Sequence, residues 1–148
     1  MTRALFLWLS QQTAVRTFLE SRGPARNLTR RFIAGTTIEE EMQVCADLAH
    51  AGIATTADHL GENVTTLAEA SAARDAYLAV LREIEARRLP CTISLKLTAL
   101  GFDLSPETAL LHPQTLARRA AEIGSRVEID MEDTRYTGRT VEFAETVG

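Results

Sequence analysis

Four times in succession, a short apolar run gives way to a longer stretch whose apolar residues recur at steps of three and four. The short runs are Arg31 to Ala34, Ile53 to Asp58, Cys91 to Leu97 and Val127 to Met131, and each has strand length. The stretches between them have helix period. Thr36, with Glu39 three residues on, has the form of a capping box opening the first helix, whose inner face is Ile38, Met42, Cys45, Leu48 and Ala49 and which Gly52 ends. A second box at Thr66 and Glu69 opens a helix to about Arg88 with Tyr77, Leu81 and Ile84 on its apolar stripe. The third helix is expected to start near Pro113, to turn Leu116, Ala120 and Ile123 inward, and to close at Gly124. The fourth spans Thr140 to Val147.

Strands alternating with helices across short loops demand βαβ units and a parallel sheet. Four such units make half of a (βα)8 barrel, so the expected fold class is α/β, a partial TIM-like barrel over residues 31–148. Ahead of it, residues 1–30 read as a helical arm, broken at Arg22-Gly23-Pro24. A closed barrel takes about 250 residues, and four strands alone leave two unpaired edges, which invite self-association. The chain therefore reads as ending early. A dinucleotide-binding doubly wound sheet would need G-x-G-x-x-G after a strand, and Gly35, Gly52, Gly61 and Gly101 are isolated.

Composition narrows the function. With 45% hydrophobic residues the chain can build a core, and 16 basic residues against 20 acidic ones, scattered along the sequence, argue against nucleic-acid binding. The four arginines between Arg22 and Arg31 read as a solvated helix face. The early apolar run Leu5 to Leu9 is too short for a bilayer span of about 20 residues and lacks a cleavage site, so the expected location is the cytosol. Cys45 and Cys91 form no CxxC pair and read as small core residues, with neither a zinc site nor a disulfide framework indicated. His50, His59 and His112 share no ligand spacing, so no metal site is expected. Glu39-Glu40-Glu41 reads as a first-turn acidic run facing the helix dipole.

Chemistry is expected where the strands end. Side chains alternate along a strand, so Ile93, Leu95 and Leu97 pack under the helices while Ser94 and Lys96 point the other way. On the last strand Glu128, Asp130 and Glu132 share a face, and on the second strand Asp58 points inward with Glu62 just beyond it. Lys96, Asp58, Glu62, Asp130 and Glu132 thus come to one rim, the C-terminal end at which barrel enzymes hold their sites. Taken singly, each is an ordinary surface charge. Three strand ends delivering ionisable groups to one place favour a site. Such a rim can hold a carboxylate on the lysine and govern an amine with an aspartate. Neither residue accepts a hydride, so redox chemistry there needs a cofactor. A lysine forming a Schiff base with a carbonyl substrate is a more distant reading.

Four blocks, Arg31-Phe32-Ile33-Ala34-Gly35-Thr36-Thr37-Ile38-Glu39-Glu40, Asp58-His59-Leu60-Gly61-Glu62, Ile93-Ser94-Leu95-Lys96-Leu97-Thr98-Ala99-Leu100-Gly101 and Ile129-Asp130-Met131-Glu132-Asp133-Thr134, occur in an order and spacing that resembles the N-terminal half of the bacterial single-function proline dehydrogenases. The resemblance covers nearly the whole chain. It implies a distorted (βα)8 barrel that holds FAD noncovalently, oxidises L-proline to Δ1-pyrroline-5-carboxylate and passes electrons to a membrane quinone, with peripheral contact at the inner face of the cell membrane. By the same resemblance Lys96 contacts the proline carboxylate, Asp130 is the active-site aspartate and Met131 touches the flavin. Glu62 matches an acid that pairs with a substrate-binding arginine, and Asp58 lines the same rim. In that family later strands supply most flavin contacts, and the last helix supplies a tyrosine and an arginine pair. These 148 residues alone are therefore expected to be inactive unless a second chain completes the barrel. The alternative is a degenerate half-barrel that serves as an oligomerising or complementing module.

Overall fold

A computed structural model gives the fold over residues 33–61 and 64–147. The expected arm at 1–30, Arg31 and Phe32 of the expected first strand, and Glu62 lie outside these described residues. The chain divides into two compact units, residues 1–40 and 41–148. In the first, helix α1 (Ile38–His50) begins. Its cap is shifted by one residue from expectation. Thr36 donates its N–H and hydroxyl to the Glu40 carboxylate at 2.8 and 3.1 Å, and the Glu40 N–H donates to Thr37 Oγ1 at 3.2 Å. Ile33 and Ala34, expected as strand, carry no strand structure.

The second unit is an α/β structure around a parallel sheet of β1 (Thr55–Asp58), β2 (Cys91–Leu95) and β3 (Val127–Ile129), in that spatial order. Helix α2 (Leu67–Arg87) joins β1 to β2, α3 (Pro106–Glu122) joins β2 to β3, and α4 (Thr137–Val147) follows β3. The strands are shorter than the apolar runs suggested. After Leu95 the chain tightens into a 3₁₀ turn over Leu97–Leu100, and after Ile129 it leaves the ladder.

Helix α2 starts at the foreseen box: Thr66 Oγ1 accepts from the Glu69 N–H, and the Glu69 carboxylate accepts from the Thr66 N–H. Two orphan donors of the first turn are satisfied reciprocally. Helix α3 begins seven residues before the expected Pro113. Ser105 caps it by accepting from the Thr108 N–H, and Pro106 takes the first turn, where its missing N–H costs nothing. Pro113 is instead buried within the helix.

The core lies between the sheet and α2 and α3. Ala70, Ala73, Tyr77, Val80, Leu81 and Ile84 of α2, together with Ala109, Leu116 and Ala120 of α3, are buried with Ile93 and Leu95 of β2. Leu97, Phe102, Ala109 and Tyr136 form an adjoining cluster that Ile129 and Phe143 join. Arg139 fastens this cluster, stacking 4.3 Å over the Phe102 ring and donating to Asp103, which also accepts from the Tyr136 hydroxyl.

Gly101 ends the 3₁₀ turn at φ +90, where a side chain is strained, and a Cβ there would lie 3.2 Å from both the Ala70 and Thr108 side chains. Gly101→Ala is expected to cost about 1–3 kcal/mol, read as a lower urea midpoint. An unchanged midpoint would contradict the packing described.

His112 is buried on α3 with Nε2 3.3 Å from Arg74 Nη1 and no hydrogen-bond partner on Nδ1. Burial first, then the Arg74 charge, hold its pKa below the ordinary 6.5. The unfolded chain therefore takes up a proton that the folded chain refuses. Stability contributed by this group is full above pH 6.5 and is lost as pH falls through 6.5 toward the lowered folded value. The acid-side decline of the urea midpoint is expected to be shallower in His112→Gln; equal slopes would contradict this.

Candidate functional site

The polar side chains of the sheet gather on the face away from α2 and α3. Parallel register sets Thr56 beside Thr92 and Ser94 beside Glu128. Thr56 and Thr92 hydroxyls lie 2.9 Å apart and both donate to Glu128, at 3.2 and 2.7 Å, so one polar cluster crosses all three strands. One step further toward the C-terminal ends, the same alternation brings Asp58, Lys96 and Asp130 onto this face.

Lys96 follows β2 directly and caps the 3₁₀ turn. Its Nζ donates to Asp58 Oδ2 at 2.6 Å and lies 3.5 Å from Asp130 Oδ2. The lysine side chain is only 11% exposed, whereas Asp58 and Asp130 are 34% and 48% exposed. Burial works to lower the lysine pKa, but the hydrogen bond and charge of Asp58, followed by those of Asp130, outweigh it and hold the ammonium above its ordinary value. It stays protonated, which disfavours the Schiff-base reading. Lys96 is also the sole lysine of the chain; every other Lys or Arg position is arginine. An ammonium here is a compact point charge that a flat guanidinium would not reproduce.

Two backbone ties hold this geometry. The Asp130 N–H donates to Leu95 O at 2.9 Å, extending the β2–β3 ladder to the aspartate itself. Glu132 accepts from the Thr98 N–H at 3.1 Å and from the Thr98 hydroxyl, binding the turn after Lys96 to the loop after Asp130. Thr98 is buried.

Beneath Asp58 lie groups that the sequence reading did not assign to the rim. The buried Tyr77 hydroxyl points to Asp58 Oδ1 at 3.4 Å, and burial, then the Asp58 charge, push its phenol well above the ordinary range. The His59 ring packs edge-on against Tyr77 at 5.8 Å. Glu41, expected to serve the helix dipole, is half-buried close to Asp58, and burial, then the Asp58 charge, raise its pKa. Spacing of Tyr77 with Leu81 marked a core face, and nothing in it marked a hydroxyl aimed at the rim. Met131 is half exposed just beyond β3, and Leu60 is exposed just beyond β1. Among the described residues no cluster of three or more ligating side chains could hold a metal ion.

One ammonium facing two carboxylates suits a zwitterion better than a simple anion. An incoming carboxylate must compete with Asp58 or Asp130 for Nζ, while an incoming amine finds the carboxylate oxygens ready to accept.

Comparison with known proteins places the chain in a family. The model of the family described as "Proline dehydrogenase" matches residues 42–147, which include Asp58, Lys96, Asp130 and Met131. The chain belongs to the proline dehydrogenase family. It is 36% identical over 141 residues to "Proline dehydrogenase 1" of Bacillus subtilis (strain 168), covering 95% of this chain and 46% of that protein. To "Proline dehydrogenase" of Deinococcus radiodurans it is 29% identical over 126 residues, covering 82% of this chain and 41% of the relative. The chain thus spans a little under half the length of the curated relatives it matches. Among solved structures, proline utilization A (PutA) from Bdellovibrio bacteriovorus, in a crystal structure of the form inactivated by N-propargylglycine, superposes with a TM-score of 0.74 at 20% identity, over 83% of this chain and 15% of that one. That likeness shows a shared fold. No helix among the described residues is long and apolar enough to cross a membrane.

Proposed function

We propose that residues 31–148 form the first half of a (βα)8 barrel, preceded by an arm at 1–30, and supply part of a site that oxidises L-proline to Δ1-pyrroline-5-carboxylate. The observation that carries this reading is the meeting of Lys96 with Asp58 and Asp130 at 2.6 and 3.5 Å, at the C-terminal end of neighbouring parallel strands in a proline dehydrogenase family chain.

Each residue has a task in that reaction. Lys96 binds the substrate carboxylate by its charge. Asp58 holds Lys96 in place from below. Asp130, the more exposed carboxylate, faces the ring nitrogen, where removal of hydride from the adjacent carbon leaves an iminium whose positive charge it stabilises. Two anchors, one on the carboxylate and one on the neighbouring ring nitrogen, fix the orientation of the small ring, and ideal positioning of this kind contributes up to about 7–11 kcal/mol toward a barrier. Glu62, outside the described residues, is assigned to pairing with a substrate-binding arginine by family resemblance.

In this reading the rim holds the ring portion of a flavin. Met131 and Leu60, 50% and 69% exposed, give the ends of β3 and β1 apolar side chains on which a flat ring can rest. FAD, when bound, supplies the two-electron acceptance that no side chain here offers. A quinone is the proposed final acceptor, reached from the membrane surface.

The test is proline-dependent reduction of dichlorophenolindophenol with added FAD, run on these 148 residues alone and with the C-terminal half of the Bacillus subtilis relative supplied in trans. Turnover that appears with the second half and disappears in Lys96→Met supports the reading. No proline-dependent turnover in either arm, or turnover indifferent to Lys96, would contradict it.

A further inference from the structure

The chain has two cysteines, 46 positions apart, and the fold brings them together. Cys45 lies on the inner side of α1 and Cys91 opens β2, both within the same compact unit. Each is 5% exposed or less, both are free thiols, and the two Sγ atoms are 4.0 Å apart. A disulfide bond is about 2.05 Å long, so closure needs about 2 Å of approach between the two sulfurs. No other cysteine competes for either thiol.

We propose that Cys45 and Cys91 are a latent dithiol that closes to an intramolecular disulfide under a small two-electron oxidant, stapling α1 to the start of β2. The two S–H bonds are lost and one S–S bond forms. Two protons and two electrons pass to the oxidant, which is a diazene reduced to its hydrazine or a small disulfide reduced to two thiols. Burial above all pushes the Cys91 thiol up to about 11, so its reactive thiolate is scarce. Once formed, the bond ties the helix carrying Cys45 to the start of the strand carrying Cys91.

The staple sits away from the candidate site. Cys91 begins β2 and Lys96 follows its last residue, so the two lie at opposite ends of the strand. The link stiffens the packing of α1 without touching Lys96, and it closes a long loop, the case in which a cross-link constrains the unfolded chain most.

The experiment treats the folded chain with diamide, quenches in acid, denatures, and counts free thiols by maleimide addition and mass. The expected product is monomeric, lighter than the reduced chain by two hydrogens, takes up no maleimide, and unfolds at a higher urea midpoint that dithiothreitol returns to the starting value. Cys45→Ser and Cys91→Ser chains are each expected to yield no such intramolecular product. Two maleimides still added after diamide treatment, a product linked only between chains, or an oxidised chain with a lower urea midpoint would overturn the proposal.

Discussion

Leu81→Ala is expected to cost about 2–5 kcal/mol of folding stability, a large share of the roughly 5–15 kcal/mol that holds a domain of this size together. Leu81 is fully buried on α2, the helix that packs against both β2 and α3. Truncation removes the transfer free energy of the lost methyl groups and leaves a cavity at a fully buried position. Urea denaturation checks it directly: the midpoint should fall sharply. Leu67, on the same helix but 50% exposed, provides the contrast; its alanine variant is expected to change stability by less than about 0.5 kcal/mol from packing. Equal losses at the two positions would mean that α2 does not face the sheet as described.

Lys96→Met is expected to lower proline-dependent turnover in the completed barrel by about 10²–10³-fold. The methionine keeps most of the buried stem but removes the one ammonium that Asp58 and Asp130 share. In the proposed site a substrate carboxylate would then meet two carboxylates with no cation between them, so binding and orientation would fail together. Lys96→Arg is expected to rescue little of the loss, because a planar fork cannot occupy the point between two converging oxygens. A variant with wild-type KM and kcat would remove Lys96 from the reaction.

The periodicity made the α/β order legible because burial of one helix stripe and one strand face leaves a direct imprint on residue spacing. Where two signals competed, the spacing was not enough. The expected start near Pro113 gives way to Pro106 because Ser105 Oγ accepts from the Thr108 N–H, whereas Pro113 is accommodated within the helix. At α1 the expected cap Thr36 is likewise displaced, because Thr37, adjoining Ile38, accepts the first-turn bond from Glu40 N–H. Strand ends were overrun because Leu97 and Met131 continue an apolar alternation after the ladder has stopped.

At the site, the convergence of Lys96 and Asp130 followed from alternation alone, since neighbouring parallel strands in register put equivalent faces together. The choice of Asp58 as the closer partner, the Tyr77 hydroxyl beneath it and the nearby Glu41 did not follow. Those contacts join residues far apart in the sequence, which local spacing does not encode. The proximity of Cys45 and Cys91 was hidden for the same reason.

The most direct test of the cluster exploits the fact that Lys96 is the sole lysine. Incorporating ε-¹³C-lysine gives one side-chain resonance, which reports the ammonium at the rim and nothing else. Titrated with base, it should show a pKa above that of an ordinary lysine, displaced downward by Asp58→Asn and, to a smaller extent, by Asp130→Asn. A resonance that titrates like a free lysine and ignores both substitutions would mean that the three side chains do not meet.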